Sequence, residues 1–91
     1  MDTKSLKRKK GLKTDAERRI DKIIGRRLYL QRNIRRMSQQ DLASQSGVTY
    51  QQIQKYEKGI NRISASRLFI FSCILEVSPL YFFNNLKRFN G

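Results

Sequence analysis

Apolar residues in the central part of the chain recur at the three- and four-residue spacing of an amphipathic α-helix. Ile20, Ile23, Ile24 and Leu28 follow this spacing and predict a first helix from about Asp21 to Arg35. No segment sustains the apolar–polar alternation that is typical of a half-buried β-strand. The pattern therefore predicts an all-α protein.

The second helix has recognisable start and stop residues. Ser38 is suited to be its N-cap, and Asp41, three residues further on, is a weaker substitute for the Glu or Gln of a capping box. Leu42 and Ala43 are expected to face inward. Gly47 is suited to the left-handed conformation that ends many helices, so we expect the second helix to stop there.

The third helix is predicted to begin directly after that glycine. Thr49 is the expected N-cap and Gln52 its capping-box partner, while Gly59 stops the helix. Ile53 and Tyr56 lie three residues apart on one face, which is therefore the inner face. The turn between the second and third helices is short, so the two helices must meet at a steep angle.

Two further helices are predicted toward the C-terminus. The fourth runs from about Ser64 to Glu76, and the fifth starts at Ser78 with Pro79 at its first helical position. The fourth helix has hardly any polar face between Leu68 and Leu75, so it needs cover on more than one side. We expect a self-association surface there; packing of the fourth and fifth helices on each other is the alternative.

The N-terminal stretch differs in composition from the rest. Residues 1–19 hold eight Lys or Arg and three Asp or Glu but few large apolar side chains, which predicts a flexible basic arm. The arm is either a solubilising extension or a segment that lies along DNA phosphates or in a groove. Residues 20–86 are predicted to form one five-helix unit, and residues 87–91 a short tail.

Charge and composition narrow the possible functions. The 91-residue chain has a net charge of +13, which favours nucleic acid as a partner, with an anionic membrane second. It has no His and one Cys, and nothing supplies paired carboxylates or an activated nucleophile. We therefore expect no enzyme, no catalytic residues, no metal and no cofactor. No apolar run is long enough to span a membrane, so we expect a cytoplasmic protein without a membrane partner.

The third helix combines an apolar inner face with an unusually polar outer face, which suits insertion into the major groove of DNA. Gln can pair with adenine and Lys with guanine, while Thr and Tyr offer apolar surface to a thymine methyl group. The candidate base-contacting residues are Thr49, Tyr50, Gln51, Gln54 and Lys55. Alternatively, the Gln side chains form only a solvated face.

Helix N-termini and the basic loop after the third helix are suited to the DNA backbone, because both present donors to phosphate oxygens. The candidate phosphate-contacting residues are Ser38, Gln39, Gln52, Lys58, Asn61 and Arg62. Gln52 has an alternative role, since it can serve the capping box alone. The Arg residues of the first helix are interpreted mainly as a solvated face.

Residues 24–83 resemble the Cro/cI-type, XRE-like helix-turn-helix repressor family. The matching motifs include Met37-Ser38-Gln39, Gly47-Val48-Thr49 and Tyr56-Glu57-Lys58-Gly59. The resemblance implies a five-helix, lambda-repressor-like DNA-binding domain that binds operators as a dimer. Residues 1–19 lie outside it.

The resemblance also implies roles for individual residues. Tyr50, Gln51 and Lys55 fall where family members touch bases, and Gln39, Lys58 and Arg62 fall at phosphate-contacting positions. Arg32 and Glu57 fall where the family places an ion pair between the first and third helices. Tyr50 departs from the family pattern, because a polar residue is common there; stacking or methyl contact is expected instead of a hydrogen-bonded base contact.

The sequence thus predicts a sequence-specific, double-stranded DNA-binding transcriptional regulator, a repressor, that reads the major groove with helix 50–58. It is expected to be a homodimer joined through the fourth and fifth helices. One rival hypothesis is an antitoxin-like interaction module with a protein partner, which represses its own operon. Another is an architectural protein that binds nucleic acid without sequence preference.

Overall fold

The computed structural model describes residues 13–86, and this part of the chain is all-helical. The elements are α1 (Asp15–Ile34), α2 (Gln39–Ser46), α3 (Tyr50–Glu57), α4 (Ala65–Leu75) and a short 3-10 helix (Pro79–Phe82). The predicted all-α class is confirmed, and residues 13–86 contain no strand. The predicted tail at 87–91 and the first twelve residues of the predicted arm lie outside the described residues.

Helix α1 begins earlier than the sequence pattern predicted. Thr14 is its N-cap: the Glu17 backbone N–H donates to Thr14 Oγ1 at 3.1 Å, and the Thr14 N–H donates to Glu17 Oε1 at 2.8 Å. This capping box fixes the helix start at Asp15. The predicted start near Asp21 is therefore wrong: Thr14 is the cap, and residues 15–19, predicted to be flexible, lie within α1.

The predicted fifth helix is a single 3-10 turn, so residues 13–86 hold four α-helices instead of five. Ser78 caps it as expected, but its backbone bonds run from Tyr81 N to Ser78 O and from Phe83 N to Leu80 O. Arg27 Nη1 donates hydrogen bonds to the carbonyl oxygens of Tyr81 and Phe82, at 3.3 and 3.1 Å. The chain then turns through Asn85, which has a φ of 60°. These contacts stop the helix after one turn.

The same segment is tied to α1 by a hydroxyl group. Tyr81 Oη donates to the Arg27 carbonyl oxygen at 2.9 Å. Burial raises the pKa of the Tyr81 hydroxyl, against an opposing effect of the Arg27 charge. The C-terminal turn is therefore held by the hydrogen bonds of Arg27 and Tyr81 and by burial of the Phe82 ring.

The core is built from the inner faces of all these elements. Its fully buried large side chains are Leu28, Leu42, Ile53, Leu75, Phe71 and Phe82. The rings of Tyr56 and Phe71 meet edge to face with centroids 5.9 Å apart. Helix α3 packs against both α1 and α2, and α4 covers α2 from the other side. Because α3 packs against two helices, only its outer face remains in contact with solvent.

Gly25 allows α1 to approach the end of α3 closely. A Cβ atom at this position would lie 2.9 Å from the Glu57 carbonyl oxygen and closer still to that of Tyr56. Every residue other than glycine would therefore push the two helices apart. The short distance between α1 and α3 allows side chains of the two helices to form one common surface.

Helix α4 buries one side and exposes another that is also apolar. Ser64 is its N-cap, as predicted, and Leu68, Phe71, Ser72 and Leu75 are buried. Phe69 and Ile70 remain 57% and 43% exposed. No helix within residues 13–86 combines the length and the apolar character that crossing a bilayer requires.

Candidate nucleic-acid interface

The turn between α2 and α3 is held by its backbone. Gly47 has a φ of 73°, and its N–H donates to the Ala43 carbonyl oxygen at 3.0 Å, which ends α2. The Val48 N–H donates to the same oxygen at 3.3 Å, and its side chain is buried. As predicted, Gly47 is the left-handed C-cap. The turn fixes the direction in which α3 leaves α2.

Both helices of this unit start with complete capping boxes. The Gln52 N–H donates to Thr49 Oγ1 at 3.1 Å and the Thr49 N–H to Gln52 Oε1 at 3.0 Å. The Asp41 N–H likewise donates to Ser38 Oγ at 3.0 Å. The capping boxes predicted at Ser38 and Thr49 are confirmed. They occupy the side-chain oxygens of Ser38, Thr49 and Gln52, which were also candidate DNA contacts.

Asp41 completes the box of α2 with its carboxylate, although the sequence alone marked it as a weak partner. Its Oδ2 accepts from the Ser38 N–H at 3.1 Å. The hydrogen bonds from the Ser38 backbone and side chain hold the pKa of Asp41 below its ordinary value. The negative charge is therefore retained at the N-terminus of α2, where the helix dipole favours it.

The outer face of α3 presents the candidate base-contacting residues. Gln51 and Lys55 are exposed, and no hydrogen bond or ion pair within residues 13–86 engages their side chains. Tyr50 and Gln54 lie one helical turn apart, and Gln54 Nε2 donates to Tyr50 Oη at 3.1 Å. Tyr50 keeps its hydroxyl proton free to donate. The structure thus brings these four side chains onto one accessible face.

An ion-pair network joins this helix to α1 and α2. Arg32 Nε lies 2.6 Å from Glu57 Oε2, and Arg32 Nη2 lies 3.0 Å from Glu57 Oε1. Arg32 Nη1 also donates to the Met37 carbonyl oxygen at 2.8 Å. Gln39 Nε2 donates to Glu57 Oε1 at 2.9 Å. This is the pair that the resemblance implied, and it fixes the end of α3 relative to the start of α2.

Gln39 therefore has a role that the sequence did not indicate. Its side-chain amide supports Glu57, while its position at the first turn of α2 keeps its backbone N–H at the free end of the helix. Among the candidate phosphate contacts it is the one that belongs to both the helix end and the ion-pair network.

The loop after α3 contains the remaining candidate phosphate contacts. Lys58 is the C-cap of α3 and is exposed; Asn61 is half-buried. Arg62 is engaged within the protein, since its Nη2 lies 2.9 Å from Glu17 Oε2 and its Nε 3.9 Å from Asp21 Oδ2. Arg62 is still about half exposed. Of these three residues, Lys58 is exposed without an ion pair within residues 13–86, Asn61 is half-buried, and Arg62 is partly engaged by carboxylates.

Lys13 contributes a contact that the sequence analysis missed. Its Nζ donates to the carbonyl oxygens of Gly59 and Ile60 at 3.1 and 3.0 Å and lies 2.9 Å from Asp21 Oδ2. It thereby satisfies carbonyl groups at the C-terminal end of α3 and ties them to α1. The Thr-x-x-Glu signature at Thr14 was the one available sequence signal that the chain is ordered here.

Comparisons with known proteins agree with this geometry. The family model described as helix-turn-helix matches residues 28–82. An uncharacterized HTH-type transcriptional regulator of Rickettsia conorii is 44% identical over 80 residues, which cover 88% of this chain and 64% of that protein. One of Rhizobium meliloti is 50% identical over 72 residues, covering 79% of this chain and 52% of the relative. This chain is thus shorter than these relatives.

The fold also has a counterpart among solved structures. The restriction-modification controller protein C.AhdI of Aeromonas hydrophila superimposes with a TM-score of 0.64 at 24% identity, covering 67% of this chain and 92% of that one. At this identity the similarity concerns the fold. It is consistent with the four-helix arrangement around the capped turn between α2 and α3.

Proposed function

Because the chain belongs to the helix-turn-helix family, as the family model over residues 28–82 shows, we propose that it is a sequence-specific, double-stranded DNA-binding transcriptional regulator and acts as a repressor. The observation that carries the proposal is the exposed polar face of α3, held in one orientation by the capped turn and by the Arg32–Glu57 pair. A rigid scaffold under a polar outer face is what reading base edges requires.

Direct readout is assigned to the outer face of α3. Gln51 and Lys55 have their donors and acceptors free, which suits pairing with adenine or guanine edges. Tyr50, braced by Gln54, is suited to contact a thymine methyl group through its ring. Thr49 stands at the start of the helix and contributes its methyl group. Each such residue acts on one or two base pairs.

Positioning on the duplex is assigned to the phosphate contacts. Gln39 and Ser38 lie at the N-terminus of α2, and Lys58 at the end of α3. Helix N-termini favour phosphate through their free N–H groups. Asn61 and Arg62 in the following loop, together with Gln52 at the start of α3, complete the proposed backbone contacts, and the net charge of +13 supplies nonspecific affinity in the cytoplasm.

Two copies of the chain are proposed to bind one operator. The exposed side of α4 carries Ser66, Phe69, Ile70 and Cys73, spaced three and four residues apart and free of charge. In a chain of charge +13, an uncharged apolar face is where two copies can meet with the least repulsion. A dimer would place its two α3 helices in successive major grooves, about 34 Å apart.

The experiment that tests this function is binding-site selection from random duplex DNA at about 150 mM salt, followed by sequencing of the retained pool. We expect a palindromic motif with half-sites about one helical turn apart. Tight, salt-sensitive binding without enrichment would contradict sequence-specific readout and would favour an architectural role.

Repression is tested separately with a reporter promoter that carries the selected motif. Expression of the chain should lower reporter output, and Gln51→Ala should restore it. Increased output would identify an activator instead.

A further inference from the structure

A cavity of about 220 Å³ opens beside the outer face of α3, where α1, α2 and α3 meet. Its lining residues are Arg26, Tyr29, Gln39, Gln54, Glu57 and Lys58. Lys58 and Gln54 continue the row begun by Tyr50, since each is four residues from the next and successive fourth residues share one helix face. The cavity therefore adjoins the proposed base-reading face. Its volume is many times the roughly 10–15 Å³ that a cavity needs to hold one water molecule.

The cavity carries positive charge from two different helices. Arg26 projects from α1 and Lys58 from the end of α3, and neither forms an ion pair with a carboxylate of residues 13–86. The one acidic residue of the lining is Glu57, and its carboxylate is already held at two points by Arg32 and by the Gln39 amide. The two cations consequently have no internal anion to neutralise.

The Tyr29 ring holds the Arg26 side chain at the cavity. The Arg26 guanidinium carbon lies 5.5 Å from the centroid of the Tyr29 ring, and that of Arg32 lies 5.6 Å from the same centroid. An aromatic ring holds a guanidinium over its face without consuming its N–H donors. Tyr29 thus positions Arg26 beside the buried ion pair while its donors stay available.

We propose that this cavity is a phosphodiester site, in which Arg26 and Lys58 together contact one phosphate of the DNA strand at the edge of the groove that α3 enters. The inference rests on the proposed DNA-binding function and deepens it. It adds Arg26 as a DNA-contacting residue and Tyr29 as a positioning residue. Because the two cations come from α1 and α3, binding of the shared phosphate also fixes the orientation of α3 relative to the DNA backbone.

The test is the salt dependence of binding to a duplex that carries the selected motif. The variants are R26Q, K58Q and the double variant R26Q/K58Q. Each single variant should weaken binding about threefold to tenfold, as expected for loss of one charge-assisted contact. If both cations serve one phosphate, the double variant should lose about 0.9 in total from the slope of log K against log salt.

The matched control is R35Q, which removes the same charge from the other side of α1. Arg35 is nine residues, or two and a half helical turns, from Arg26, and its guanidinium contacts Glu76 near the end of α4. R35Q should leave the slope unchanged. A loss of about 1.8 in the double variant would mean two separate phosphates and would overturn the shared site. The shared site is also overturned if R26Q binds the duplex as tightly as the original protein.

Tyr29 is tested by Y29F and Y29L. Y29F keeps the ring and should bind like the original protein, whereas Y29L should match R26Q in both affinity and slope. Equal behaviour of Y29F and Y29L would contradict the positioning role.

Inorganic phosphate, added at constant ionic strength, should leave DNA binding unchanged. Competition that R26Q abolishes would instead identify a site for free phosphate. If the original protein shows no preference for any duplex, the proposed function itself fails. Failure of the phosphate site is a different result, because it is seen only as a difference between the variants and an original protein that does prefer the selected duplex.

Discussion

Arg32 in α1 and Glu57 at the end of α3 form a two-point ion pair whose side chains are only 8% and 5% exposed. Both side chains have further partners, since Arg32 Nη1 donates to Met37 O and Gln39 donates to Glu57. A buried pair with several additional hydrogen bonds specifies geometry even where its net free energy is small. In this protein it links α1, α2 and α3 at the proposed DNA surface.

Glu57→Gln should lower the free energy of unfolding by about 3 kcal/mol, because it leaves the buried Arg32 charge without its counter-charge while the amide oxygen still accepts one hydrogen bond. Urea denaturation at neutral pH measures the change. Glu76→Gln is the matched control: Glu76 is exposed and lies 3.5 Å from Arg35, so its loss should cost at most about 0.5 kcal/mol. Equal costs for the two variants would contradict the structural role of Arg32–Glu57.

The parts of the fold that the sequence predicted correctly are those with local causes. Ser38, Thr49 and Ser64 are N-caps because a short polar side chain can reach a backbone N–H three residues ahead. Gly47 ends α2 because glycine tolerates a positive φ. These rules need only the neighbouring residues, so the α2–turn–α3 unit and its outer face were predictable.

The errors arose where distant contacts decide the structure. Lys13 is ordered by carbonyl groups of Gly59 and Ile60, and the last turn is set by Arg27. Neither contact leaves a periodic pattern in the sequence. The T-x-x-E box at Thr14 was readable, but the basic composition around it favoured an extended arm instead. The cavity at Arg26 could not be predicted either, because it depends on how three helices pack.

Gly25→Ala should destabilise the protein by about 1–3 kcal/mol, although alanine is normally the better helix former by about 1 kcal/mol. The added Cβ would meet the carbonyl oxygens of Tyr56 and Glu57 and force α1 away from α3. Thermal unfolding measures the effect. Ser44→Ala, at an exposed position of α2, should be neutral or stabilising. A stabilised Gly25→Ala variant would show that the two helices do not pack this closely.

Gln51→Ala should cost about 1–3 kcal/mol of binding free energy at one base position and relax the preference there. Its side chain is exposed and makes no hydrogen bond or ion pair within residues 13–86, so protein stability should stay unchanged. Lys58→Ala should instead weaken binding to all sequences alike and reduce the salt dependence. Titration of selected and random duplexes distinguishes the two. Equal weakening of both duplexes by Gln51→Ala would remove Gln51 from the base-reading set.

Acidification should remove the contribution of Asp41 to stability. Its folded-state pKa is lowered by hydrogen bonds from Ser38, so the stabilisation is present above about pH 5, where an unfolded carboxyl is ionised. It is lost as the pH falls through the lowered folded-state pKa. The difference in urea midpoint between the original protein and Asp41→Asn should therefore be constant from neutral pH to about pH 5 and shrink toward pH 3. A difference independent of pH would show that the carboxylate charge contributes nothing.

Phe69→Gln should weaken self-association through the exposed side of α4 without changing the charge of the chain. Phe69 is 57% exposed, and burying a phenylalanine in a dimer contributes about 1.5–3 kcal/mol, or about tenfold to hundredfold in the dissociation constant. Light scattering at about 50 µM should give the mass of a dimer for the original protein and a lower average mass for the variant. Ile34→Gln is the control, because Ile34 is 70% exposed and belongs to a different helix, at the end of α1. Its average mass should match the original protein.

The cysteine on the same side of α4 gives a second measurement of that dimer. Cys73 is exposed and lies four residues after Phe69, on the same helix face. A short bis-maleimide should link two copies of the original protein and of Ile34→Gln, and should link Phe69→Gln poorly. In DNA titrations, Phe69→Gln should keep its affinity for a single half-site and lose affinity for the paired half-sites, since only the latter requires two joined copies. A monomeric original protein that still binds the paired site tightly would exclude α4 as the dimer interface.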